Sequence, residues 1–254
     1  MFAIGNAYEQ YMGRWSRRLA APYAEFAAVK DGERLLDVGT GTGALAAALA
    51  ARTKTSEIVG IDPSAGFIEA AKASGSPRVR FEAGDAQALP YPDAGFDRVL
   101  SLLALNFVPD HEKAVREMRR VTRPGGAVSA CVWDYGEGME SLRLFWDAAV
   151  ELDPAAAPKH ERNMKLCRKG ELGGLWRRSA LAEVREAALV IDQAFSSFDD
   201  YWGPFLSGTG PGGAYVVSLD DARRKQLEAR LRTRLGNDAF TLKARAWCVH
   251  GLVP

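Results

Sequence analysis

The sequence predicts an α/β fold: a doubly wound sheet of seven strands, mostly parallel with an antiparallel last strand, and helices on both faces. Three observations predict it. Short apolar runs alternate with helix-patterned segments from Arg34 to Trp133, the first run ends in a turn of alternate glycines, and three successive runs each end in an aspartate. The 254 residues, 47% of them hydrophobic, suit one large domain over residues 1–254. Within it we read an N-terminal helical lid (1–30), a ligand-binding core (31–133), an insertion (134–180) and C-terminal strands and helix that complete the sheet (181–254).

The central stretch is Arg34 to Gly43, RLLDVGTGTG, followed at once by ALAAALAA at 44–51. Leu35, Leu36 and Val38 are strand residues, and the alanine–leucine run is a helix packed on a sheet. Glycines at 39, 41 and 43 let the chain turn sharply and leave the first N–H groups of the helix facing a ligand. Gly39, Gly41 and Ala44 also satisfy a dinucleotide-binding pattern, so the spacing alone leaves the ligand open. Asp37, two places before the first glycine, repels a pyrophosphate and attracts an ammonium group. A ligand carrying an amine and a carboxylate therefore fits better than a dinucleotide.

The remaining elements follow in order. Ala7 to Ala20 places Tyr8, Tyr11, Trp15 and Leu19 on one helical side with Arg14, Arg17 and Arg18 beside them, either a cap over the sheet or a lid on the ligand. Pro22 is expected to end that piece. Glu57–Ile61 is a second strand ending at Asp62 and Pro63, where a carboxylate accepts from two vicinal hydroxyls. Ser64 caps a helix to Ser74. Val79–Ala83 is a third strand, ending in Gly84-Asp85-Ala86-Gln87. Phe96–Leu103 is a fourth, Pro109-Asp110 opens a helix, Arg123 to Gly126 breaks it, and Ala127–Trp133 is a fifth strand. Beyond a helix at Ser141–Leu152 and a basic stretch at Lys159–Arg178, a strand at Glu183–Asp192, a helix at Leu219–Leu235 and a closing strand at Phe240–Cys248 complete the chain.

Composition narrows the partners. A formal net charge of +1 supplies no global field for nucleic acid or an anionic surface. Cys131, Cys167 and Cys248 form no C-x-x-C pair, which argues for reduced thiols in a cytoplasm and against a structural metal site. The start of the chain lacks an apolar leader core, and no stretch approaches about 18 apolar residues, so membrane insertion is not expected.

With these motifs in place, the chain resembles the class I S-adenosylmethionine-dependent methyltransferases, with their Rossmann-like sheet, and within them the small-molecule group that includes ubiquinone and menaquinone C-methyltransferases. The resemblance rests on LLDVGTGTG at 35–43, IVGID at 58–62, FEAGDAQALPYPDAGFDRVLS at 81–101 and VTRPGG at 121–126. It implies S-adenosylmethionine as donor and S-adenosylhomocysteine as product. Asp37 with Gly39, Thr40, Gly41 and Gly43 would hold the methionine portion, and Asp62 with Pro63 the ribose. Asp85, Ala86 and Gln87 would read the adenine, Ser101 and Leu102 would line the sulfonium end, and Tyr11 and Arg14 would reach the carboxylate from the lid.

The fourth strand runs into Leu105-Asn106-Phe107-Val108-Pro109 and lacks the D/N-P-P-Y/F motif, and Cys131 follows Ala130 rather than proline. With the balanced net charge, both departures argue against DNA methylation. The expected acceptor is an apolar or aromatic small molecule, with Tyr8, Asn106, Phe107, Trp133 and Trp202 as pocket candidates in a monomer or homodimer. No general base is legible. His111 reads as a helix-terminal residue and His160 as one that approaches a substrate. An NAD(P)-dependent oxidoreductase and a noncatalytic S-adenosylmethionine-binding protein remain the alternatives.

Overall fold

The computed structural model describes residues 9–74 and 76–254. Its sheet has seven strands: β1 (Arg34–Val38), β2 (Glu57–Asp62), β3 (Val79–Ala83), β4 (Phe96–Leu102), β5 (Thr122–Trp133), β6 (Ala182–Phe195) and β7 (Phe240–Leu252). They lie in the order β3-β2-β1-β4-β5-β7-β6. The pairs among β1 to β5 are parallel, and β7 is antiparallel to both β5 and β6. Only β7 therefore runs against the rest, as the sequence led us to expect. The order reverses between β1 and β4, and that reversal opens a crevice at the carboxyl ends of both strands.

Alternation along each strand separates two cores. Leu35, Ile58, Leu100 and Cys131 face one, with α1 (Arg14–Phe26) and α2 (Ala44–Arg52). Leu36, Val59, Val99 and Val128 face the other, with α4 (His111–Val121) and, further along, α6 (Glu171–Arg178); the intervening helices are α3 (Ala65–Ser74) and α5 (Glu140–Leu152). Strands buried on both faces read as nearly continuous apolar runs, which is why this part of the sequence was legible. The cap of α4 is equally local: the Asp110 carboxylate accepts from the Lys113 backbone N–H at 2.9 Å.

Four expectations need correction. Pro22 does not end a helix but sits inside α1, whose buried side, Leu19, Ala20, Tyr23 and Ala24, outweighs one missing backbone hydrogen bond. The helical piece expected over Ala7 to Ala20 is, among the described residues, a wide turn over Glu9–Gly13 followed by α1, which begins only at Arg14. Arg123 to Gly126 lies within β5 rather than before it, with an irregular register between Phe96 and Arg98 on the neighbouring strand. Finally, α7 (Phe198–Trp202) and α8 (Gly210–Ser218) precede α9 (Asp221–Leu235) where no element was expected. Five residues give α7 too short a helical period to read, and the glycines and proline at the start of α8 hid it.

Candidate active site

The glycine turn is built for close approach. Gly39, Gly41 and Gly43 have φ of 75°, 54° and 87°. At position 39 a side chain would collide with Ala104 as well as strain the backbone. Gly43 is the N-cap of α2. Gly60, beside Asp37 in register, is glycine for packing: a Cβ there would lie 2.7 Å from the Thr40 hydroxyl.

At the end of β1, Asp37 is fully buried; its Oδ2 accepts from the Thr40 hydroxyl at 2.7 Å, and its Oδ1 has no partner among the described residues. Burial, reinforced by the negative charge of Asp62, pushes Asp37 up to about 7 despite the Thr40 hydroxyl and the Ala46 backbone N–H. At the end of β2, Asp62 accepts from the Gly41 N–H at 3.0 Å and the Ser64 N–H at 2.9 Å, one on each oxygen. Burial raises its pKa, and those two N–H groups oppose the rise. Each oxygen keeps a second lone pair for a hydroxyl donor. Beyond β3, Asp85 accepts from the Gln87 backbone N–H at 2.8 Å and from its side-chain amide at 3.1 Å, which hold the carboxyl below its ordinary value.

These acids meet in a cavity of about 500 Å³. Asp37, Gly39, Thr40 and Gly41 line its β1 side, Asp62 and Pro63 its β2 side, Asp85, Ala86 and Gln87 its β3 side, and Ser101 and Leu102 its floor on β4. Phe107, 59% exposed, forms part of the mouth. An orphaned carboxylate oxygen beside a glycine-lined helix start is suited to a ligand with both an ammonium and a carboxylate, and the volume falls in the usual range for a small-molecule site. The donor set fits S-adenosylmethionine.

Other expected residues stand elsewhere. Gly43 shapes the turn but packs against Phe81 instead of facing the cavity. Tyr11 packs its ring edge-on to Phe205, centroids 5.4 Å apart, and Arg14 pairs with Asp200 at 2.6 Å; neither lines the cavity, because these contacts hold the Tyr11 ring and the Arg14 guanidinium within the lid. Trp133 and Trp202 belong to the packed core, and Asn106 points away, its Nδ2 3.7 Å from Met164 Sδ. Tyr8 lies outside the described residues. His160 is buried, stacked on Trp146, and caps a short 3₁₀ turn over Glu161–Asn163; burial lowers it to about 4. His111 is the first residue of α4.

Sequence reasoning missed Ser16, Phe67, Leu103 and Ala104, which also line the cavity. Ser16 has no signature on a helix. Leu103 was detectable in part, since the apolar run continues past the strand end, but its left-handed φ of 60° was not.

A strand-end carboxylate on each of three neighbours, around a glycine turn at a topological switch point, defines the class: an α/β domain for an adenosine-containing ligand with a charged tail. Residues 36–130 match the family described as "Methyltransferase domain", the same stretch whose motifs carry the resemblance. Over 116 residues the chain is 40% identical to demethylmenaquinone methyltransferase of Thermus thermophilus, covering 44% of this chain and 51% of that protein. Over 117 residues it is 39% identical to 27-O-demethylrifamycin SV methyltransferase of Amycolatopsis mediterranei, covering 44% and 43%. The chain thus spans about half the length of these curated relatives. The YcgJ protein of Bacillus subtilis has the same fold, with a TM-score of 0.59, 22% identity and coverage of 94% and 98%.

Proposed function

We propose that this chain transfers a methyl group from S-adenosylmethionine to an apolar or aromatic small molecule. The convergence of Asp37, Asp62 and Asp85 on one cavity of about 500 Å³ carries this reading. Asp37 and the start of α2 take the amino acid end, Asp62 the ribose hydroxyls, and Asp85 with the Ala86 backbone the adenine. Bound there, the sulfonium supplies an activated methyl group, so the protein's own work is to orient the acceptor and exclude water. Leu102, Leu103 and Phe107 provide an apolar approach to that end of the cavity.

The relatives named for a demethylmenaquinone and a demethylrifamycin support a small-molecule acceptor. The buried, unpaired Oδ1 of Asp37 disfavours a dinucleotide, whose pyrophosphate it would repel. Free buried cysteines, and the lack among the described residues of any helix long and apolar enough to cross a membrane, support a cytoplasmic role. Equilibrium dialysis with labelled S-adenosylmethionine tests the reading: retention competed by S-adenosylhomocysteine and not by NAD is expected, and competition by NAD alone would overturn it.

A further inference from the structure

Outside the cavity, a cluster of buried polar atoms without partners among the described residues lies where the N-terminal turn meets the insertion. Glu161, 3% exposed, accepts from the Trp146 indole N–H through Oε2, while Oε1 has no partner among the described residues. The Tyr11 hydroxyl is likewise buried without a partner, and it is close enough for the Glu161 charge to raise its pKa, after burial itself. The backbone N–H groups of Glu161 itself and of Gly212, near the start of α8, also favour the charged carboxyl. That approach needs the glycines of the GPGG segment: a Cβ at Gly210 would lie 2.9 Å from the Tyr11 ring, and one at Gly212 3.0 Å from Phe205.

Two paths connect this cluster to the cofactor-type cavity. Met164, which ends the turn begun by Glu161, touches Asn106, and both neighbours of Asn106, Leu105 and Phe107, line the cavity. On the other side, Glu9 in the turn that carries Tyr11 accepts from the hydroxyl of Thr42, also a cavity residue. The packing around the carboxyl is aromatic: Phe145 stacks on Phe205 at 4.4 Å, and Trp146, whose indole donates to Glu161, meets Tyr215 at 5.4 Å. A buried carboxyl with one free oxygen, beside a free hydroxyl and among aromatic rings, suits an aromatic ligand that donates a single hydrogen bond.

We propose that Glu161 Oε1 and Tyr11 Oη form the acceptor end of the site, taking the hydroxyl of a phenol or enol, with Glu161 as its proton acceptor. This rests on the methyl-transfer reading for its consequence. The Glu161 carboxylate removes the hydroxyl proton as the oxygen lone pair bonds to the methyl carbon of the sulfonium donor. The electron pair of the broken carbon–sulfur bond stays on sulfur. The products are a methyl ether, a neutral thioether and a protonated Glu161, which returns its proton to water. Outward movement of the 9–13 turn, held by the Glu9 contacts and by Tyr11 on Phe205, opens the way in.

The groups facing Glu161 are Tyr11, the Trp146 indole and the N–H groups of Gly212 and of Glu161 itself, with His160 and Arg162 on its own segment; burial pushes it up to about 7 against the pull of the N–H donors. Calorimetry with 2-naphthol and 2-methoxynaphthalene, each with and without S-adenosylhomocysteine, tests the proposal in wild type, Glu161→Gln and Tyr11→Phe. Wild type should prefer 2-naphthol on the order of tenfold, since a hydrogen bond to a charged group is lost in the ether. Its 2-naphthol affinity should rise between pH 6 and 8, and Glu161→Gln should flatten that rise while keeping the wild-type thermal shift with S-adenosylhomocysteine. Equal binding of the two probes, no binding of 2-naphthol, or a pH dependence that survives Glu161→Gln would overturn the proposal. Failure of S-adenosylhomocysteine to stabilise any of the proteins would instead remove the methyl-transfer reading, leaving the naphthol comparison to be judged separately.

Discussion

Asp37 is held at a cost that only a ligand relieves. Its folded pKa is raised from 3.8 to about 7, so the folded state binds a proton more tightly than the unfolded chain does. The associated stability is complete below about pH 4 and is lost as pH rises towards about 7. Asp37→Asn should therefore make the ligand-free protein more stable at pH 8, on the order of 2–4 kcal/mol by denaturant titration, with less change at pH 4. Ligand binding should respond in the opposite sense. Protonation of Asp37 removes the partner of an ammonium group, so the affinity for S-adenosylhomocysteine should fall below about pH 7, at most about tenfold per pH unit, and Asp37→Asn should abolish that dependence. Calorimetry across pH 6 to 8 measures it.

Among the elements, the glycine turn joins conformation to function most tightly. Gly39 combines a φ of 75° with no room for a Cβ beside Ala104. Gly39→Ala should cost about 2–4 kcal/mol, from strain plus overpacking, and weaken cofactor binding by closing the approach to the turn; thermal unfolding and dialysis read the two effects. This element was fully legible, because the glycine spacing, the strand before it and the alanine-rich helix after it are all local features. The lid was not. Tyr11 and Arg14 have the right residue types for a ligand, yet their partners, Phe205 and Asp200, lie nearly two hundred residues away. Likewise, α8 is a helix of glycines and a proline, fixed by packing against Tyr11 and Phe205 rather than by propensity.

Across the whole molecule, the two ends of the sheet do different work. At the amino ends, Arg98 of β4 makes two bonds to Glu33, at 2.8 and 3.0 Å, and one to the Ala27 carbonyl at 2.6 Å, tying the chain before β1 and the end of α1 to the sheet. Burial alone would raise the Glu33 pKa, but the Arg98 contacts leave it lowered. Arg98→Ala should cost about 3–5 kcal/mol by stranding that carboxylate, a fall in Tm of roughly 6–20 °C, with little change in cofactor affinity. The carboxyl ends line the cavity. That division was visible in the sequence as three strand-terminal aspartates, whereas the acceptor side depends on residues 9–13, 160–164 and 210–213, which only the folded chain brings together.

The most direct measurement is thermal unfolding of wild type and Asp62→Ala with S-adenosylhomocysteine and with NAD. At about 100 times its dissociation constant, a ligand adds roughly 2.7 kcal/mol, a rise on the order of 5–10 °C for a chain of this size. That rise is expected with S-adenosylhomocysteine in wild type, with its loss in Asp62→Ala and none with NAD. No rise with S-adenosylhomocysteine, an undiminished rise in Asp62→Ala, or a rise with NAD alone would contradict the methyl-transfer reading.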